Sequence, residues 1–329
     1  MHLPTPTHTF TIPSLHDGVR LDCRIYHPPG QVNPSSSSCQ RIRGAIVAHP
    51  YAPLGGCYDD PVVGFVAGEL LRAGFVVGTF NFRGAGGSDG RTSWTGRPEL
   101  ADYASFYEFM LLYLHRLRDT RSTSSQYGGN NLEAAQLILG GYSYGSMIAS
   151  NLPHLDLIAD VVKQSNHGTP MYEIYQIARD LVYCLGEDKD ILEQERNTLE
   201  EMRRAAGTIQ RTTVAYLLIS PILPPINRFL TLFAKLSLDI GTLESAQRQS
   251  IPCPQPADQV CAHETLALYG TQDTFTSVHK LQTWSKELRQ NPSSKFRSVE
   301  IDGAGHFWIE DGVRSQARDA IRNWLCRIH

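Results

Sequence analysis

The chain has 329 residues, 41% of them apolar and 19% charged, with 33 acidic against 30 basic side chains and a formal net charge of −3. That balance lacks the cationic field that draws nucleic acid or an anionic membrane surface, and the composition fits neither a disordered chain nor a coiled coil, so a small-molecule partner is expected. The length allows one large α/β domain with an insertion, or two domains.

Thr7–Ser14 and Val19–His27 alternate apolar and polar residues around Asp17-Gly18, which predicts an antiparallel pair. Pro28–Arg43, with Pro28-Pro29-Gly30 and the tract Ser35–Ser38, reads as a surface loop. Gly44–Ala48 is a short apolar run of the kind covered on both faces of a sheet. Val62, Phe65, Val66, Leu70 and Leu71 have helical spacing over Pro61–Arg72, with Gly74 just beyond. Phe75–Phe80 is the next strand, Glu99–Arg118 a helix, and Ala135–Gly140 a strand that runs into Gly141–Gly145 and a helix from about Tyr144. Strands and helices alternating over short links predict a parallel sheet with helices on both faces, the α/β class.

The rhythm changes after Leu152. Met171, Ile174, Tyr175, Ala178, Leu181, Val182 and Leu185 keep a 3.6-residue period, as do Leu192, Leu199, Met202, Ala206 and Ile209, with charges such as Glu193, Glu195, Arg196, Glu200 and Arg203 opposite. This predicts a helical insertion at 153–212 between core segments 1–152 and 213–329. Val214–Ser220, Thr265–Tyr269 and Phe296–Ile301 are strands, with helices near Val278–Arg289 and Asp311–Cys326. Leu157–Val162 competes with Val214–Ser220 for the sixth sheet position, and the longer β-competent run is preferred.

Seven scattered cysteines, Cys23, Cys39, Cys57, Cys184, Cys253, Cys261 and Cys326, include no C-x-x-C pair and read as reduced thiols. Met1–Arg20 lacks the basic start and apolar stretch of a secretory signal, so a cytoplasmic location is the default expectation. Thr213–Lys235, the most apolar stretch, is broken by Pro221, Pro224, Pro225, Asn227 and Arg228, and no membrane span is expected.

Gly141-Tyr142-Ser143-Tyr144-Gly145 fits G-x-S-x-G between an apolar strand and an apolar helix, a context in which the serine is a candidate nucleophile. A serine hydroxyl needs a base within hydrogen-bond reach, and the base needs an acid to hold its tautomer. Among twelve histidines, His306 follows the strand Phe296–Ile301, in a loop at a strand's C-terminal end where ligands gather in open α/β sheets. His2, His8, His115 and His329 read as solvated or incidental. Asp273 lies just beyond Thr265–Tyr269 and is the candidate acid, with Asp302 as the rival. A tetrahedral intermediate also needs two backbone donors. Tyr144 follows the serine, and the turn His49-Pro50-Tyr51-Ala52-Pro53 leaves Tyr51 or Ala52 as the second, Tyr51 being preferred. The His49 side chain reads as a structural hydrogen-bonder.

With serine, acid and histidine in that chain order, the sequence resembles the α/β-hydrolase superfamily over nearly its whole length apart from the insertion. His49-Pro50 with Gly55-Gly56, and Asn81-Phe82-Arg83-Gly84-Ala85-Gly86-Gly87-Ser88, look like its esterase and serine-aminopeptidase-like branch, and Arg83 reads as an anchor of that loop. The resemblance implies a mostly parallel eight-stranded sheet, no metal and no diffusible cofactor. It also implies that the inserted helices roof the serine as a lid shaping an apolar acyl or polyketide-like pocket, with a homodimer contact or plain packing as alternatives. Tyr58, Tyr142, Phe229 and Trp308, with Tyr144, flank the motifs and are candidate pocket walls. The function expected is a serine hydrolase cleaving an ester or thioester of a fairly apolar small molecule through Ser143, His306 and Asp273. Two alternatives stand beside it: a cyclase, lyase or acyltransferase of natural-product biosynthesis on the same fold, and a non-catalytic ligand-binding protein.

Overall fold

The alternating N-terminal segments form β1 (His8–Pro13) and β2 (Arg20–Tyr26), antiparallel, with His8 opposite Ile25 and Pro13 opposite Arg20. The structure, a computed structural model, describes residues 3–29, 41–124, 135–185, 198–241 and 248–328. Most of the expected Pro28–Arg43 loop, including Ser35–Ser38 and Cys39, lies outside the described residues, as do His2, His329, Leu192 and the charged cluster from Glu193 to Arg196.

The apolar runs become β3 (Arg43–Ala48), β4 (Val76–Phe80), β5 (Gln136–Tyr142), β6 (Thr213–Ile219), β9 (Glu264–Gly270) and β10 (Phe296–Ile301). Together with β1 and β2 they make one eight-stranded sheet in the order β1-β2-β4-β3-β5-β6-β9-β10. It is parallel from β4 to β10, and antiparallel only at β1 and β2. Every residue of β4 and β5 is buried, as expected of strands with helices on both faces.

Alternate side chains divide the core into two layers. Ile46, Leu137, Leu139 and Leu218 face the layer of α2 (Arg97–Ser124) and α3 (Tyr144–Ser150). Ala45, Val47, Ile138 and Leu217 face α1 (Pro61–Arg72) and α10 (Val313–Leu325). Leu157–Val162 falls inside α4 (Leu155–Gln164), where Ile158, Ala159 and Val162 are buried along one stripe, so Val214–Ser220 supplies the sixth strand of the sheet.

The insertion contains α4, α5 (Pro170–Tyr183) and α6 (Thr198–Ile209), whose apolar stripes pack against α2, one another and β1. Polar contacts fasten the same surface: the Tyr175 hydroxyl donates to Glu201 at 2.9 Å, and Arg116 of α2 donates to Glu201 at 2.7 Å. The helices therefore thicken the flank of the sheet.

After β6 come α7 (Ile226–Leu230), the antiparallel pair β7 (Ser237–Gly241) and β8 (Arg248–Pro252), and α8 (Pro256–Ala262). The last helix before β10 is α9 (Val278–Arg289).

Candidate active site

Tyr142 ends β5 and Tyr144 opens α3, so the chain must reverse at Ser143, which takes φ 56° and ψ −113°. A non-glycine residue there is strained, and the flanking glycines are what let the turn close. A Cβ on Gly141 would lie 2.4 Å from the Gly145 carbonyl carbon, and one on Gly145 would lie 2.6 Å from the Ala48 oxygen. The Ser143 N–H donates to the Ile219 carbonyl at 2.8 Å, which ties the turn to β6.

The loops after β9 and β10 are bound to each other, with Gln272 N–H donating to the Ala304 carbonyl at 2.9 Å. They carry Asp273 and His306 to the same edge as Ser143. His306 Nε2 is 2.9 Å from Ser143 Oγ, and His306 Nδ1 is 2.8 Å from Asp273 Oδ2. All three are buried, at 5%, 4% and 7% exposure for Ser143, His306 and Asp273. Asp273 Oδ1 accepts from the N–H groups of Phe275 at 2.8 Å and Thr276 at 3.0 Å, which leaves Oδ2 free for the imidazole. Phe275 stacks on the His306 ring at 4.2 Å, and the Tyr142 hydroxyl donates to the His306 carbonyl at 2.8 Å. Asp302 instead accepts from Thr271 Oγ1 at 3.2 Å. A carboxylate accepting from Nδ1–H leaves Nε2 as the acceptor for the serine proton.

The turn after β3 is built on His49. Phe82 N–H donates to His49 Nε2 at 2.9 Å, so the ring proton is on Nδ1, which donates to the Pro50 carbonyl at 2.6 Å. Burial lowers this imidazole to a pKa of about 4, against the opposing effect of the Pro50 bond, and keeps it neutral. Leu54 and Gly56 N–H groups donate to the Tyr51 carbonyl, a closure in which the Tyr51 N–H takes no part. Tyr144, as the first residue of α3, has no acceptor for its own N–H within the helix.

Ser143 and His306 open on a cavity of about 160 Å³ whose walls include Tyr51, Leu54, Tyr142, Ile222, Leu230 and Phe275. Among the described residues no group of three or more His, Cys, Asp or Glu side chains could hold a metal ion, and no helix is long and apolar enough to cross a membrane. The described cysteines are free.

Solved structures similar to this chain include an α/β serine hydrolase without lid from Xanthomonas campestris, with TM-score 0.52 and 16% identity over 99% of this chain and 97% of that one. An α/β serine hydrolase homologue from Coxiella burnetii is similar at TM-score 0.50 and 18% identity, over 98% and 99% of the two chains. Est1E from Butyrivibrio proteoclasticus, solved with ferulic acid bound, is similar at TM-score 0.51 and 13% identity, over 97% and 98%. The chain has the α/β-hydrolase fold. No protein-family profile and no curated protein matches the sequence.

On this α/β-hydrolase fold the wall residues differ from those the sequence suggested. Of the expected walls Tyr142 lines the cavity, whereas Tyr58, Tyr144, Phe229 and Trp308 do not; Tyr51, expected as an oxyanion donor, lines it as well. The Tyr58 hydroxyl donates to Asp22 at 2.6 Å beneath the Arg24 guanidinium, which turns the ring away from the site. Phe229 is 61% exposed on the outer side of α7, whose inner side presents Ile226 and Leu230. Trp308 takes φ 57° and points into the core, its Nε1–H donating to Ser220 Oγ at 2.9 Å. Phe275 and Phe307 line the cavity too, and only their position within two residues of Asp273 or His306 marks them in the sequence. The expected roof also differs, since no described residue of 153–212 lines the cavity; its covering side comes from the Ile222–Leu230 segment.

Arg83 is buried and bound on three sides. Its guanidinium donates to Asp102 Oδ1 at 2.7 Å, Asp17 Oδ2 at 2.9 Å and Ser14 Oγ at 3.1 Å, which makes the Asn81–Ser88 loop a fixed part of the scaffold.

Proposed function

We propose that the protein is a serine hydrolase that cleaves an ester or thioester of a fairly apolar small molecule. The observation that carries this reading is the continuous contact from Asp273 through His306 to Ser143 at a strained turn facing a cavity. Ser143 Oγ attacks the carbonyl carbon as His306 Nε2 takes its proton. Asp273 holds the imidazole by Nδ1–H and offsets the positive charge that forms on the ring. The N–H groups of Tyr51 and Tyr144 are the donors for the oxyanion. The C–O or C–S bond breaks as His306 returns the proton to the leaving group, and water, activated by the same imidazole, releases the acid and restores Ser143.

Leu54, Ile222, Ile226, Leu230, Phe275 and Phe307 around the serine favour an apolar substrate. The names of the similar folds from X. campestris and C. burnetii support hydrolysis as the reaction class. The test is labelling with a fluorophosphonate, followed by mass spectrometry, beside turnover of chromogenic esters. The expected result is one adduct on the Ser143 peptide, absent in Ser143→Ala, with turnover reduced by at least about 10³-fold. A folded Ser143→Ala protein that retains full turnover would overturn the assignment.

A further inference from the structure

A second cavity, of about 230 Å³, lies beside the one that holds Ser143. Its walls come from α3, from the segment Pro221–Asn227, from the start of α8 and from Trp284 of α9. Ile222 lines both cavities and is only 5% exposed, so the two spaces adjoin at this residue. Its neighbour is anchored to the loop of Asp273, since Leu223 N–H donates to Thr276 Oγ1 at 3.4 Å and Thr276 N–H donates to Asp273. Ser146, on the wall of the second cavity, donates its hydroxyl to the Ser143 carbonyl at 2.8 Å, which brings this space within one helical turn of the serine.

The lining is apolar at Met147, Leu218, Leu223 and Trp284. The polar groups of α3 are already engaged: Ser150 Oγ and Asn151 Nδ2 donate to the Met147 carbonyl. Asn227 is different. Its Oδ1 is buried and accepts no hydrogen bond from any described residue. A buried acceptor left without a donor is destabilising, and a ligand donor would recover that loss.

We propose that this second cavity receives the far end of the substrate's acyl group, that Ile222 sets how far the group reaches, and that Asn227 Oδ1 accepts from a hydroxyl or amide N–H on it. This rests on the hydrolase reading above. The leaving group must take its proton from His306, which with Phe275 and Phe307 borders the first cavity and not the second. The acyl substituent, on the other side of the reacting carbon, is the part directed past Ile222. At about 230 Å³ the space has room for several methylene groups beyond those that cross the first cavity, which suits a medium-length acyl chain.

The experiment is a series of p-nitrophenyl esters from acetyl to dodecanoyl, with octanoyl compared against a hydroxylated octanoyl ester. In the parent, kcat/KM is expected to peak near eight carbons and to favour the hydroxylated chain. Ile222→Trp is expected to lower the octanoyl-to-acetyl ratio at least tenfold, and Ile222→Ala to move the peak to longer chains. Asn227→Leu is expected to lower the preference for the hydroxylated ester about tenfold. Unchanged ratios in folded Ile222→Trp and Ile222→Ala proteins would overturn the acyl assignment. A binding measurement separates this from the hydrolase reading. Calorimetry of octanoate with Ser143→Ala is expected to give saturable binding that a further Ile222→Trp change removes. If the parent turns over no ester yet this binding is present and lost as stated, the hydrolase reading fails and the cavity stands. If esters are turned over but octanoate does not bind, the cavity proposal fails alone.

Discussion

Replacing Asp273 by Asn preserves the shape of the site and reverses the proton on His306. Oδ1 of Asp273 accepts from two backbone N–H groups, at 2.8 and 3.0 Å, so the Asn oxygen must occupy that position. The amide NH₂ then faces His306 Nδ1, where Oδ2 stood at 2.8 Å. An NH₂ group can only donate, so Nδ1 must accept and the ring proton moves to Nε2, the nitrogen 2.9 Å from Ser143 Oγ. The base for the serine is thereby lost, and kcat should fall by about 10⁴, equivalent to roughly 5.5 kcal/mol of barrier. Stability should change by no more than about 1 kcal/mol, because the two backbone bonds persist. The assay is kcat on a chromogenic ester, with thermal unfolding as the control for folding. Asp302→Asn serves as the comparison, since Asp302 contacts Thr271 and its loss should leave kcat within about twofold of the parent. A folded Asp273→Asn enzyme within tenfold of the parent, or a larger effect at Asp302, would refute the reasoning.

His49→Ala should destabilise the protein by about 2–4 kcal/mol at pH 7 in urea unfolding, because Phe82 N–H and the Pro50 carbonyl both lose their partner; a change below about 0.5 kcal/mol would contradict this. The same residue predicts acid sensitivity. With a folded pKa of about 4 against 6.5 unfolded, its neutral state contributes stability above pH 6.5 that is lost as pH falls towards 4, on the order of 3 kcal/mol, and His49→Ala should flatten that limb. Glu108 behaves in the opposite sense. Both of its carboxyl oxygens are buried without a partner among the described residues, and burial raises its pKa well above the ordinary 4.5. Above that pH the unfolded chain ionises while the folded one does not, so the parent loses up to about 1.4 kcal/mol per pH unit. Glu108→Met should therefore be more stable than the parent, by a margin that grows between pH 5 and pH 7; equal pH slopes in the two proteins would exclude this account.

The parts of the site that could be read from the chain are those the backbone itself demands. Gly141 and Gly145 flank Ser143 because no Cβ fits there, and His306 and Asp273 follow runs apolar enough to be interior strands. Strand ends of a parallel sheet converge on one edge, so placing the strands already places those loops. The six parallel strands were legible as apolar runs and β1 and β2 by their alternation, whereas β7 and β8 were not, because only Leu238 and Ile251 bury an apolar side chain in them.

The walls obey a different rule. Neighbours in one loop point in unrelated directions, as Phe307 meets the cavity while Trp308, one residue on, turns into the core towards Ser220. The insertion makes the same point on a larger scale. Its apolar stripes announced that they must be covered, and they are covered by α2 and β1 rather than by a substrate cavity, because periodicity states that a face is buried and not against what. The segment that does line the cavity, from Ile222 to Leu230, is interrupted by Pro224 and Pro225 and has no period to read. On the proposed function, substrate choice would rest on an irregular stretch whose side-chain directions emerge only in three dimensions, and the chemistry on strand ends. Mutations between Ile222 and Leu230 should accordingly alter which esters are accepted far more than they alter the pH dependence of kcat, a separation that pH profiles of Ile222→Ala against the parent would measure.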